Sequence, residues 1–328
     1  MWNSCSTHRS LILHADDFGM NAAVTHGIIE AFSDGLLTST SLLANAPAAE
    51  LAVTEWQKLE DARRKDTLAS AERRRGLGDD ASPFDLGVHL NLTQGRPLTG
   101  PIFPAELHDH AGRFLSPGRL FLRLRASGRA WRAAIERELA AQIEWLVVRG
   151  IQPTHLNGHQ YVEMMPVVSE LVPLLAERYG ISYIRAASEP GHWLTSLTPG
   201  WRASNWCLSF VKRHYADRWR RTLDTAGIAH ADDFFGASHA GLIDVRLMRR
   251  FLRLARNHTL LEIALHPGRS PDQRAGDSQV DGWRDPLAFD RLGELQVLCS
   301  PALADLIASE NMLLGRLSRP NLGQSRAA

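Results

Sequence analysis

Strand-length apolar runs alternate with helical patterns along the chain, and several of those runs end in a carboxylate or an imidazole. Together these features predict an α/β fold, with parallel strands and outer helices closed into a distorted (β/α) barrel. Three observations carry the prediction. Residues 11–15 and 260–265 are short apolar runs of the kind a strand covered on both faces requires. Helix-like segments separate such runs in βαβα order. The reactive residues sit at the ends of several different runs, which suits a barrel better than an open sheet with a single crevice.

Each element has its own local reason. Strands are expected at 11–15, 38–44, 86–92, 154–156, 182–185, 260–265 and 312–317, and helices at 22–32, 131–149, 167–179, 244–256 and 301–309. The first run stops in Asp16-Asp17-Phe18-Gly19, and either Asp17 or Asn21 can cap the helix that follows. In Asp85 to Leu92 the residues alternate, with His89 on the face of Gly87 and Asn91. Pro153 and Gly158 argue against a helix through Thr154-His155-Leu156-Asn157-Gly158-His159. Extended, that segment puts His155, Asn157 and His159 on one face. The run 260–265 delivers His266 into Pro267-Gly268, a strand end followed by a turn.

Two stretches break the rhythm. Residues 57–83 carry Arg63-Arg64-Lys65-Asp66 and Arg73-Arg74-Arg75 and read as a charged, solvated insertion. Residues 201–221 place Trp201, Trp206, Phe210, Tyr215 and Trp219 among basic side chains. They read as a helix with its aromatic face on the core, or as an amphipathic lid resting on a lipid surface or on sugar rings. Asp232-Asp233-Phe234 mimics the first acidic pair, but no internal repeat surrounds it, so capping or a loop contact with substrate is expected there. One domain spans 9–318, with flexible tails at 1–8 and 319–328.

Composition narrows the function. A chain of 328 residues with 44% hydrophobic content can bury a full core, and a net charge of +1 gives no general attraction for nucleic acid. Cys5, Cys207 and Cys299 are too few and too scattered for a disulfide framework, which favours a reducing compartment. There is no 18-residue apolar stretch, and too few apolar residues precede Asp16 for a signal peptide, so a cytoplasmic location is expected.

Adjacent carboxylates repel unless a cation or a proton lies between them. An Asp with two His is a recurrent set for a catalytic divalent ion that keeps a position open for water. His155 and His159 are not the helical pair of a zinc protease, since Leu156 stands where that motif has Glu.

The stretches Ala15-Asp16-Asp17-Phe18-Gly19, Gly27-Ile28-Ile29-Glu30, Leu37-Thr38-Ser39-Thr40-Ser41, Gly87-Val88-His89-Leu90, Thr154 to His159 and Leu265-His266-Pro267-Gly268 resemble the YdjC-like (ChbG/HpnK) carbohydrate deacetylases in order and spacing. The likeness runs from about Leu11 to about Leu317. It implies a TIM-barrel-like fold and a hydrolase that removes the acetyl group of an N-acetylated amino sugar, either a chitooligosaccharide or an N-acetylglucosaminyl glycolipid such as a hopanoid. It also implies that Asp17, His89 and His159 hold a divalent metal, magnesium or zinc ahead of manganese or cobalt, with Asp16 as general base and His266 as general acid. Asn45, His155, Arg185, Glu189 and Asp232 become candidate substrate contacts. Where many members carry a run of histidines, this chain has Gln160-Tyr161-Val162-Glu163. Peripheral contact with the inner membrane goes with the glycolipid reading, and a homodimer is a separate expectation.

The rivals are a metal-dependent phosphodiesterase or phosphatase and a non-catalytic sugar- or lipid-binding protein. The first lacks a glycine-rich phosphate cradle, and the second leaves the five polar residues unexplained. A serine hydrolase elbow at Ser238 fails on spacing.

Overall fold

The computed structural model describes residues 9–73, 84–189, 204–255, 258–270 and 282–317, with side chains at 66–73 and 204–214 outside the description. Eight strands, β1 (Arg9–Phe18), β2 (Ser39–Leu42), β3 (Asp85–Leu90), β4 (His155–Gly158), β5 (Tyr183–Ile184), β6 (Asp233–Phe235), β7 (Leu260–Leu265) and β8 (Met312–Leu314), form one sheet. Their order is β5-β4-β3-β2-β1-β7-β6, and every pairing is parallel. β1 is long enough to serve two neighbours on one side: β8 pairs with Arg9 to Leu11, and β2 takes over from His14.

The sheet curls until its edges meet. Ile184 N–H donates to the Ala229 carbonyl at 3.1 Å and Ala229 N–H to that of Ser182 at 3.2 Å, linking β5 to the segment that leads into β6. The result is the distorted (β/α) barrel that the element order predicts.

Around it lie α1 (Ala22–Ser33), α2 (Ala49–Arg73), α3 (Pro117–Ser127), α4 (Arg132–Val147), α5 (Val168–Arg178), α6 (Ser204–Ala226), α7 (Val245–Leu254), α8 (Arg291–Leu298) and α9 (Pro301–Ser309). Of the two candidate caps for α1, Asn21 is the one used: its Oδ1 accepts from Val24 N–H at 2.8 Å, which frees Asp17 for other work. α7 turns Leu247, Met248, Phe251 and Leu252 inward and its arginines outward, a one-sided pattern that tertiary burial makes helical.

The structure refines several expectations. The charged stretch from residue 57 begins as a continuation of α2 up to Arg73, and 74–83 lie outside the described residues. Asp233–Phe235 is a strand, stabilised by pairing with β7 although it is only three residues long. The aromatic segment 201–221 falls mainly within α6. There Trp219 is buried in the core as the core-helix reading expects, while Trp201 and the side chains of Trp206 and Phe210 lie outside the described residues. α3 and α8 were not expected from periodicity, because each is short and mixes charge into its apolar face.

Candidate active site

All the chemically suggestive residues except Asp232 lie at or just past the C-terminal ends of strands or inside the barrel, the face where such barrels do chemistry. Asp16 and Asp17 are consecutive on β1, and a regular strand would point them to opposite sides. They converge because the pairing with β2 slips between Ala15 and Phe18 and Asp17 adopts φ 69°. Aspartate tolerates that left-handed conformation better than most residues, and holding it costs of order 1–3 kcal/mol.

Asp17 Oδ1 lies 3.0 Å from His159 Nδ1 and 3.6 Å from His89 Nε2, and one ligand atom from each of the three residues falls within 4.8 Å of the others. His89 comes from β3 and His159 from the first position after β4, so three chain segments build one buried group. The tautomer of His89 suits a metal. Its Nδ1 faces Asn157 Oδ1 at 2.8 Å and Ser41 Oγ at 3.2 Å, so a proton on Nδ1 leaves Nε2 with its lone pair turned to Asp17. Burial lowers the His89 pKa to about 4 against the pull of Asp16 and Asp17, keeping the ring neutral as a ligand must be. One carboxylate oxygen and two imidazoles therefore fit a divalent ion.

Supports converge from behind. Arg291 of α8 donates to Asp17 Oδ2 at 2.8 Å and to Asp285 at 2.8 Å, and together with the facing histidines it outweighs burial to hold the Asp17 carboxyl well below the usual range. Gln94 Nε2 stands 3.0 Å from His159 Nε2.

Asp16 has a separate cage. Oδ1 accepts from Asn157 Nδ2 at 2.9 Å and lies 3.2 Å from His14 Nε2, and Oδ2 accepts from Arg185 Nη1 at 2.8 Å. Burial would raise its pKa, but Arg185, His89 and His14 reverse that, so it is ionised at neutral pH. Arg185 is fastened in turn by Glu262 at 2.7 Å, whose other oxygen accepts from Tyr183 Oη at 2.7 Å. His266, just after β7, brings Nε2 to 3.8 Å from Asp16 Oδ2. Its backbone N–H donates to buried Glu294 at 2.5 Å, and its Nδ1 is buried without a hydrogen-bond partner, 4.0 Å from Glu294 Oε2.

Asp16, Asp17, His89, His159 and His266 are thus brought together, and the other expected residues fare differently. Arg185 grips Asp16 through Nη1 and Glu262 through Nε, and its Nη2 is buried without a hydrogen-bond partner. His155 lies inside the barrel, its Nδ1 2.9 Å from Thr154 Oγ1 and its ring 4.9 Å from that of His14. Asn45 is spent on loop structure, donating to the carbonyls of Gln94 and Arg96 and accepting from Asn91. Glu189 accepts from Gly236 N–H at 2.8 Å and from Ser238. Asp232 is not near the site. It precedes β6 and binds Thr259 and Leu260 at the start of β7, so it belongs to the opposite end of the barrel.

His14, Asn157, Arg291, Glu294 and Gln94 were not singled out from sequence as functional. His14 carried a usable signal, since it stands two residues before Asp16 on the same strand face. The arginine and glutamate of α8 carried none.

Comparison with known proteins follows the same outline. The family described as YdjC-like protein matches residues 10–309. A mouse protein named carbohydrate deacetylase is 28% identical over 327 residues, spanning 93% of this chain and 92% of its own length. A human protein of the same name is 29% identical, spanning 93% and 88%. A Geobacillus stearothermophilus carbohydrate deacetylase is 36% identical over a shorter stretch, 52% of this chain and 57% of the relative. An Enterococcus faecalis V583 crystal structure, provisionally named a cellobiose-phosphate cleavage protein, shares the fold with a TM-score of 0.66 at 22% identity, covering 94% of this chain and 98% of that one.

Proposed function

The chain belongs to the YdjC-like protein family, and from that premise we propose that it is a metal-dependent carbohydrate N-deacetylase, releasing acetate from an N-acetylated amino sugar. The observation that carries this reading is the buried trio Asp17, His89 and His159 with Asp16 and His266 beside it, 3.8 Å apart. A divalent ion held by the trio, magnesium or zinc foremost, would supply Lewis acidity toward the acetyl carbonyl and acidify a bound water, to a pKa of about 7 where the ion is zinc.

The remaining steps belong to protein groups. Asp16, ionised and immobilised by Arg185 and Asn157, accepts the proton that water gives up as its oxygen attacks the carbonyl carbon. Its low pKa limits the driving force for that transfer, so fixed orientation carries more of its contribution than basicity does. His266 donates a proton to the amine nitrogen as the carbon–nitrogen bond breaks, without which the amine is a poor leaving group. Glu294 fixes the backbone of His266 and Arg185 the carboxylate opposite, so both reacting side chains arrive pre-positioned.

Chitooligosaccharides and N-acetylglucosaminyl lipids such as hopanoid glycolipids are the substrates to separate. Acetate release from di-N-acetylchitobiose and from an N-acetylglucosaminyl lipid is measured on chelator-stripped protein and after each metal is restored. Asp16→Asn and His266→Ala are expected to keep bound metal and lose turnover, and His89→Ala to lose the metal. Full metal occupancy in His89→Ala, or acetate release undiminished by chelation, overturns the reading.

A further inference from the structure

A cavity of about 510 Å³ lies between α3, the stretch leading from residue 164 into α5, and the C-terminal half of α6. Its size is that of a small-molecule site, about 300–1,000 Å³. None of Asp16, Asp17, His89, His159 or His266 lines it. Three arginines do, Arg125, Arg129 and Arg218, and none of them makes an ion pair among the described residues. The acid on the wall, Glu170, is already held by Arg132 at 3.1 Å.

Exposed arginines usually reflect a solvated surface. These differ because Arg125 and Arg129, at and just past the end of α3, and Arg218 of α6 line one concavity together with Met164, Val167, Tyr215 and buried Trp219. Like charges around one cavity repel, and an anion within it relieves that repulsion. Guanidinium groups bind phosphate oxygens with paired hydrogen bonds better than any other side chain. The apolar and aromatic part of the lining suits a ring or a short hydrocarbon beside the phosphate.

We propose that this cavity is a second binding site, separate from the metal-ligating trio, for a phosphate-bearing small molecule whose apolar portion lies along Met164, Val167 and Tyr215. The phosphate can be that of a free monoester or that of a lipid headgroup. Glycerol 3-phosphate and inorganic phosphate are titrated by calorimetry at constant ionic strength, and sedimentation with phosphatidylglycerol vesicles is compared with phosphatidylcholine vesicles.

The expected result is saturable binding of a soluble probe, or selective binding to phosphatidylglycerol vesicles. It should be retained in His89→Ala and weakened at least about tenfold when Arg125, Arg129 and Arg218 are all changed to Ala. Soluble binding assigns a free ester; binding to vesicles alone assigns a headgroup. Arg218→Glu, a single surface change, should reproduce the loss in a protein of unaltered melting temperature. Binding undiminished in the triple variant, binding lost only in His89→Ala, or no saturation with any probe overturns the proposal.

Discussion

Replacing Glu163 by glutamine removes a carboxyl group whose ionised form the protein interior disfavours. The side chain is fully buried, neither carboxylate oxygen has a hydrogen-bond partner, and one oxygen lies so close to Gly158 that a β-carbon there would sit 2.0 Å from it. Burial raises the carboxyl from 4.5 to about 8, with its own backbone N–H and Arg185 opposing and Asp16 and Glu262 assisting. Because the folded pKa exceeds the unfolded one, the native state holds the extra proton between those values, and stability falls as pH rises through that window. At 1.36 kcal/mol per unit, the loss is about 1 kcal/mol at pH 5, about 3 kcal/mol at pH 7 and about 4 kcal/mol at pH 8. Glutamine cannot ionise, so Glu163→Gln should match the parent near pH 4.5 and exceed it by about 3 kcal/mol at pH 7. Urea unfolding of both proteins in chelator at pH 5, 7 and 8 measures the difference. Parallel stability curves would refute the view that a neutral acid is buried there.

Substitutions at three other positions test the frame of the site. Arg185→Met leaves Asp16 and Glu262 buried without their shared cation, at a cost of about 3–5 kcal/mol. With about 2.1 cal/mol/K of unfolding entropy per residue over 328 residues, that is a fall of about 4–7 °C in calorimetry, and an unchanged Tm would count against the pairing. In Gly87→Ala the new methyl meets His155 Nε2 at 2.4 Å and its backbone oxygen at 2.5 Å, so β4 must shift. A loss of about 1–3 kcal/mol in urea is expected, and a neutral result would show that the two strands have room to part. Asn21→Ala removes the α1 cap at about 1 kcal/mol, whereas Asn21→Asp should retain most of it; equal losses in the two would assign the effect to something other than the cap.

Local pattern made much of the fold legible. Leu260 to Leu265 is recognisable as a covered strand because it is apolar throughout, and Asn21 as a cap because it precedes an amphipathic run. His89 and His266 could be nominated because each stands at or beside a strand end, where barrels concentrate polar groups. β6 escaped notice because three residues carry no period, and its stability comes from β7 rather than from its own sequence. The resemblance of the motif stretches to a known family supplied the roles, and spacing alone supplied only candidates.

The chain by itself determined the order of strands and helices and which polar residues lie beside strand ends, since these follow from side-chain periodicity and from the conformational preferences of proline, glycine and asparagine. Tertiary structure alone decided which of them share a site. Asp16 and Asp17 face the same way only through a slipped register and a positive φ, and their cations, Arg185 and Arg291, come from 169 and 274 residues away. A buried ion pair depends on distance and dielectric in the folded chain, and neither quantity leaves a local mark in the order of residues.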